Sequence, residues 1–149
     1  MNIDLNVLKA LLDDNKYRIS VLSNASAYLN ESLDNINWVG FYLLDKDTLY
    51  LGPFQGKPAC ILIPVGKGVC GNTIVEGKTI VVDNVLEYKG HIACDSNSRS
   101  EICIPIYINN NIYGLLDIDS PIFNRFDDNL KDILEKSVKI IENALINAK

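Results

Sequence analysis

Apolar residues recur at helical spacing from about Leu5 to Ser32: Leu5, Leu8, Leu11 and Leu12, then Ile19, Leu22, Ala25, Ala27 and Leu29. Such a stripe is the face an amphipathic helix turns toward a core. Asp13-Asp14-Asn15 interrupts it and predicts two helices in place of one. At the other end, Leu130, Ile133, Leu134, Val138, Ile141, Leu145 and Ile146 mark one face of a long helix, and Asp127 is placed to cap its start.

The middle of the chain has a different rhythm. Ile36 to Leu44 is rich in aromatic and aliphatic residues and runs through Asp45-Lys46-Asp47 into Leu49-Tyr50-Leu51, the pattern of two strands and a turn. Pro58 to Pro64, Thr79 to Val82, Ile102 to Ile108 and Ile112 to Asp119 read as further strands. Asn109-Asn110-Asn111 between the last two predicts a hairpin turn, because Asn tolerates positive φ. Gly68 to Glu76 predicts a short helix entered through a glycine turn. The order helices, sheet, helix gives an α+β domain, an antiparallel sheet with N-terminal and C-terminal helices, spanning residues 1–149 as one unit.

Composition narrows the function classes. A formal charge of -5 and a pI near 4.8 weigh against phosphate-backbone or anionic-membrane binding. The most apolar stretches are strand-length, and Met1-Asn2-Ile3-Asp4 lacks a basic region followed by an apolar one, so a cytoplasmic protein is expected. In that reducing setting four cysteines point to redox chemistry, metal binding or core filling, not to a static framework. No spacing is Cys-x-x-Cys, Cys60 to Cys70 is too wide for a zinc knuckle, and His91 is the only histidine, so no metal is expected.

Cys94 lies in the polar stretch from Gly90 to Glu101, a loop before a strand, where exposure and a lowered pKa, from Arg99 or backbone amides, would make a thiol reactive. An incidental thiol fits the same residues. Cys60 alternates with Leu62 on an expected strand, and Cys70 sits in the first turn of the expected short helix, whose N-terminus favours a thiolate. Each also fits as a small core residue. Cys103, in Ile102-Cys103-Ile104-Pro105, reads as packing. Asp117 and Asp119, two apart on a strand, share a face, and Glu101 opens the strand expected to pair with theirs. Crowded acids beside apolar neighbours require a cation, hydrogen-bond donors or solvent. Trp38 and Tyr42 share a strand face with Gly40 between them and suit either a pocket wall or the core.

Together these residues closely resemble the free methionine-R-sulfoxide reductases, stand-alone GAF-domain enzymes. The matching stretches are Asn37-Trp38-Val39-Gly40-Phe41-Tyr42, Gly52-Pro53-Phe54-Gln55-Gly56, Pro58-Ala59-Cys60, Gly66-Lys67-Gly68-Val69-Cys70-Gly71, Gly90-His91-Ile92-Ala93-Cys94-Asp95 and Leu116-Asp117-Ile118-Asp119-Ser120. The resemblance implies that Cys94 is the catalytic cysteine, Cys60 the principal resolving cysteine and Cys70 an auxiliary one. It implies that Trp38 and Tyr42 surround the methyl-sulfinyl end of the substrate. Glu101 and Asp119 would then act at the sulfoxide oxygen and Asp117 nearer the substrate ammonium. Cys103 has no counterpart in the resemblance. The implied cycle runs through a sulfenic acid and a disulfide that thioredoxin reduces, with no bound cofactor, and the terminal helices are of the kind through which GAF domains form homodimers. Two other functions share the fold: a non-catalytic GAF module that binds a small ligand, and a thiol redox sensor. Neither needs the acid cluster and the aromatic pair together.

Overall fold

Alternation along the central strands sorts side chains onto two sheet faces with different jobs. In the computed structural model, which describes residues 2–92 and 94–149, the elements are α1 (Leu5–Leu12), α2 (Arg18–Ser32), β1 (Trp38–Asp45), β2 (Thr48–Gly56), β3 (Leu62–Pro64), α3 (Gly68–Glu76), β4 (Ile80–Val82), a single 3-10 turn at Val85–Glu87, β5 (Ser100–Ile108), β6 (Asn111–Ser120) and α4 (Asp128–Ile146). The strands form one antiparallel six-stranded sheet in the order β3-β2-β1-β6-β5-β4, so the fold is the expected α+β arrangement.

One face carries Val39, Phe41, Ile102, Ile104, Ile106, Leu116 and Ile118, packed against Leu8, Leu12, Val21, Leu22, Ala25 and Leu29 of α1 and α2 and Leu134, Val138 and Ile141 of α4. Fully burying each of the Val, Leu, Ile and Phe side chains among them contributes about 1.5–3 kcal/mol. The helix ends are where the acidic residues put them. Asp4 accepts hydrogen bonds from the amides of Asn6 and Val7, at 2.9 and 3.2 Å, and Asp127 accepts from Leu130 N at 2.9 Å. Within α2 the buried stripe is Val21, Leu22, Ala25, Ser26 and Leu29, whereas Ile19 and Ala27 face outward.

The turns follow backbone chemistry. Lys46 takes φ 57°, and Asn109 and Asn110 take 53° and 65°, so both hairpins close through two residues, with Asp45 opposite Thr48 and Ile108 opposite Asn111. Two expectations change. β2 runs on to Gly56, past the Leu49–Leu51 stretch. Pro53 is tolerated there because it falls at the register shift opposite Gly40–Tyr42, beyond the reach of β3, which pairs only with Thr48 to Tyr50. The Pro58–Pro64 stretch shortens to Leu62–Pro64, which takes Cys60 out of the sheet and into the connecting loop. Pro58 offers no amide hydrogen for pairing.

Candidate active site

The second sheet face is the floor of a pocket. On β5, Glu101 and Cys103 point the same way, and on β6 so do Asp117 and Asp119. Register turns these pairs into two rows that run across three strands. Trp38, Asp119 and Glu101 lie side by side in the first row, and Gly40, Asp117 and Cys103 in the second. The first helical turn of α3 lies over this floor and brings Cys70 Sγ to 3.5 Å from Cys103 Sγ and 3.9 Å from Glu101 Oε2. The Cys103 thiol is 3.5 Å from Glu101 Oε2 and 3.4 Å from Asp117 Oδ1.

Trp38 and Tyr42 stand on the β1 side, both buried. The Trp38 ring is stacked between Tyr42, with centroids 5.8 Å apart, and Phe54, at 5.1 Å. Gly40 does not leave open space between them. A Cβ there would come within 2.3 Å of the Phe54 Cβ and 2.8 Å of the Trp38 ring, so the glycine admits the stack itself. Polar tips hold these rings in place: Trp38 Nε1 donates to the Lys57 carbonyl at 3.2 Å, and Tyr42 Oη donates to the Cys60 carbonyl at 2.8 Å.

Cys60 and Cys94 are joined by a disulfide, with Cα atoms 5.7 Å apart. Both residues are half-buried, and Cys94 lines the same pocket as Trp38, Cys70, Glu101, Asp117 and Asp119. Arg99 is not aimed at this thiol: its guanidinium donates to the carbonyls of Ser96 and Ser98, at 2.9 and 3.0 Å. Its neighbour Asp95 accepts from the Asn97 amide and the Asn37 side chain, each at 2.9 Å. These bonds, the Asn97 one foremost, hold its carboxyl below the usual range.

The floor acids behave in the opposite way. Burial, followed by the charge of Asp119, pushes Glu101 up to about 8. Burial and Glu101 raise Asp117, and burial and Asp117 raise Asp119. Glu101 is therefore a proton donor near neutral pH, and the shifts of Asp117 and Asp119 run in the same direction. His91 Nε2 sits 3.7 Å from Glu101 Oε1. Burial lowers its pKa against the pull of Asp117, so near pH 7 this contact joins two neutral groups.

The α3 N-terminus does not make Cys70 a thiolate. Its hydrogen bond with Cys103 favours the anion, but burial and the nearby acids outweigh that and hold the thiol well above the usual range. Cys103, expected to be packing, is fully buried yet stands within the acid floor. The signal was present in the sequence: two residues from Glu101 on one strand means the same face. Asp95, Asn37 and His91 also belong to the site and carried no expected role.

Residues 17–145 match the GAF domain family. The free methionine-R-sulfoxide reductase of Escherichia coli (strain K12) is 47% identical over 97% of this chain and 86% of its own. The fRMsr of Staphylococcus aureus in complex with substrate is 54% identical, with a TM-score of 0.89 over 97% of both chains. The free methionine-R-sulfoxide reductase from Neisseria meningitidis in complex with its substrate is 40% identical, with a TM-score of 0.90 over 94% of this chain and 84% of its own. With this pocket, this sheet order and these relatives, the chain belongs to the GAF domain family and, within it, to the free methionine-R-sulfoxide reductases.

Proposed function

We propose that the protein reduces free methionine-R-sulfoxide to methionine, with Cys94 as nucleophile and Cys60 as resolving cysteine. The observation that carries this reading is the Cys60–Cys94 disulfide at the edge of a pocket floored by Glu101, Asp117 and Asp119. A sulfoxide reductase needs a thiol and a proton source at one place, and here they share a cavity.

The chemistry balances with thiols and protons alone. The Cys94 sulfur attacks the sulfoxide sulfur while the oxygen takes a proton, since unprotonated oxide is too poor a leaving group. Glu101, poised at about 8, is the donor in this reading, with Asp119 beside it. Water attacks the Cys94 sulfur, the bond between it and the methionine sulfur breaks, methionine leaves, and Cys94 is left as a sulfenic acid. Cys60 attacks that sulfur, expelling water and forming the disulfide. The net change is one sulfoxide and two thiols to one thioether, one disulfide and water. An external dithiol of the thioredoxin type then attacks the disulfide and returns both cysteines to thiols. No bound cofactor enters the cycle.

The stacked Trp38 and Tyr42 give the methyl-sulfinyl end an apolar wall, because a ring face suits a polarizable sulfur group. Asp117, and at the rim the ionised Asp95, serve the substrate ammonium. Lys67 and the start of α3 line the same pocket and suit its carboxylate. A cytoplasmic location and pairing of two copies through the terminal helices complete the reading.

The test is methionine release from reduced enzyme. Cys94→Ser should release none, and Cys60→Ser should release about one methionine per enzyme and then stop for want of recycling. Sustained turnover without Cys94 would overturn the assignment.

A further inference from the structure

Cys103 is buried against the acids of the pocket floor, and the reduction cycle leaves it without a task. Its Sγ lies 3.5 Å from Cys70 Sγ, 3.5 Å from Glu101 Oε2 and 3.4 Å from Asp117 Oδ1, and Cys70 Sγ lies 3.9 Å from Glu101 Oε2. One ligand atom from each of these four residues falls within 4.8 Å of all the others. A tetrahedral zinc ion with sulfur at about 2.3 Å and oxygen at about 2.1 Å separates its ligands by roughly 3.8 Å (sulfur to sulfur) and roughly 3.6 Å (sulfur to oxygen). The four separations above already have that size.

We propose that Cys70, Cys103, Glu101 and Asp117 form a tetrahedral site for a thiophilic divalent cation of the zinc type. The four ligands come from α3, β5 and β6, elements fixed by the sheet and its packing, so little rearrangement is needed to close the shell. Two sulfurs with two carboxylate oxygens suit zinc or cadmium better than magnesium or calcium, which take all-oxygen shells. His91, 3.7 Å from the other oxygen of Glu101, is placed to orient that carboxylate from outside the shell. Binding forms two metal–sulfur and two metal–oxygen bonds and breaks the two S–H bonds together with the O–H bond of each carboxyl that still holds its proton. The released protons pass to water, no electrons are transferred, and no oxidant is required.

The Cys-x-x-Cys rule misses such a site because its thiols come from different elements, 33 residues apart. The cation would occupy the floor on which the sulfoxide oxygen and the ammonium rest. That consequence, metal inhibition of the reductase, depends on the proposed function; the binding itself does not.

The experiment uses the full chain carrying Cys60→Ser and Cys94→Ser, so that Cys70 and Cys103 are the remaining thiols. It is reduced with a phosphine and titrated with Co²⁺ without air. One equivalent should raise a sulfur-to-cobalt charge-transfer band and intense tetrahedral d–d bands, and one equivalent of Zn²⁺ should abolish both. Adding Cys103→Ser should roughly halve the charge-transfer intensity and weaken zinc binding on the order of 100-fold or more. Should that chain not fold by near-UV circular dichroism, Cys70→Ser provides the same readout, and Asp117→Asn should keep the charge-transfer band while weakening zinc binding. Absence of the charge-transfer band, weak octahedral bands alone, or an unchanged spectrum in the folded Cys103→Ser or Cys70→Ser chain would overturn the site. None of these readings depends on methionine release, so the metal site and the reductase fail separately.

Discussion

Glu101 and Asp119 face each other directly across the β5–β6 ladder, and the charge of Asp119 makes ionisation of Glu101 harder. Burial is the first cause for both carboxyls, with the charge of Asp119 the next for Glu101 and that of Asp117 the next for Asp119. The result is a pair of acids that keep a proton where an isolated surface carboxyl has lost it.

If Glu101 donates that proton to the sulfoxide oxygen, single-turnover methionine release should fall as pH rises through about 8, with a slope of one proton. Glu101→Gln keeps the shape but not the acid, and should lower the rate by roughly 100-fold or more while flattening this limb. A pH profile of burst amplitude and rate checks it, and an unaltered alkaline limb in Glu101→Gln would assign the proton elsewhere.

Stability should carry the same signature. The folded carboxyl of Glu101 titrates at about 8 and the unfolded one in the ordinary range near 4.3. The folded state therefore binds more protons between these values, and the stabilisation is complete below the unfolded pKa and lost as pH rises through the folded one. At about 1.4 kcal/mol per unit of displacement, the loss amounts to a few kcal/mol. Urea unfolding of the substrate-free protein at pH 5 and pH 9 should show the difference, and Glu101→Gln should shrink it.

Tyr42 serves the loop as well as the pocket wall, because its hydroxyl holds the Cys60 carbonyl at 2.8 Å. Tyr42→Phe keeps the ring and the stack but frees that carbonyl. A hydrogen bond of this kind contributes about 1 kcal/mol, so closure of the Cys60–Cys94 disulfide should slow roughly fivefold. Dimedone trapping of the Cys94 sulfenic acid over time measures this, and a longer-lived sulfenic acid with an unslowed first methionine release separates positioning of Cys60 from substrate binding.

Periodicity made the fold legible wherever a face was buried. The 3.6-residue stripe of α4, its Asp127 cap and the Gly68–Glu76 helix stand where the sequence puts them, and the turn expected at Asn109-Asn110-Asn111 closes through its first two residues. Cys60 lies off its expected strand for a physical reason: Pro58 to Pro64 has strand-like residues, but Tyr42 and Cys94 hold Cys60 in a loop, and such long-range ties leave no local trace. Cys103 packs as expected, fully buried in the cluster with Val69, Cys70, Val82 and Leu115, but its adjacent residues Ile102 and Ile104 are not its surroundings. They point to the helical face, and the side chains around Cys103 are Glu101, Asp117 and Cys70. Neighbours on a strand are two residues away or across the ladder, never adjacent.

The two-faced sheet also makes assembly of the site self-checking. A slip of β5 by one residue against β6 would send Glu101 and Cys103 into the oily layer under α2 and α4, and bring Ile102 and Ile104 out into the cavity. No mispaired chain could keep its core and lose only its chemistry. Refolded material should therefore divide into fully competent and fully unfolded molecules, and the burst of methionine per mole of chain counts the correctly threaded ones directly.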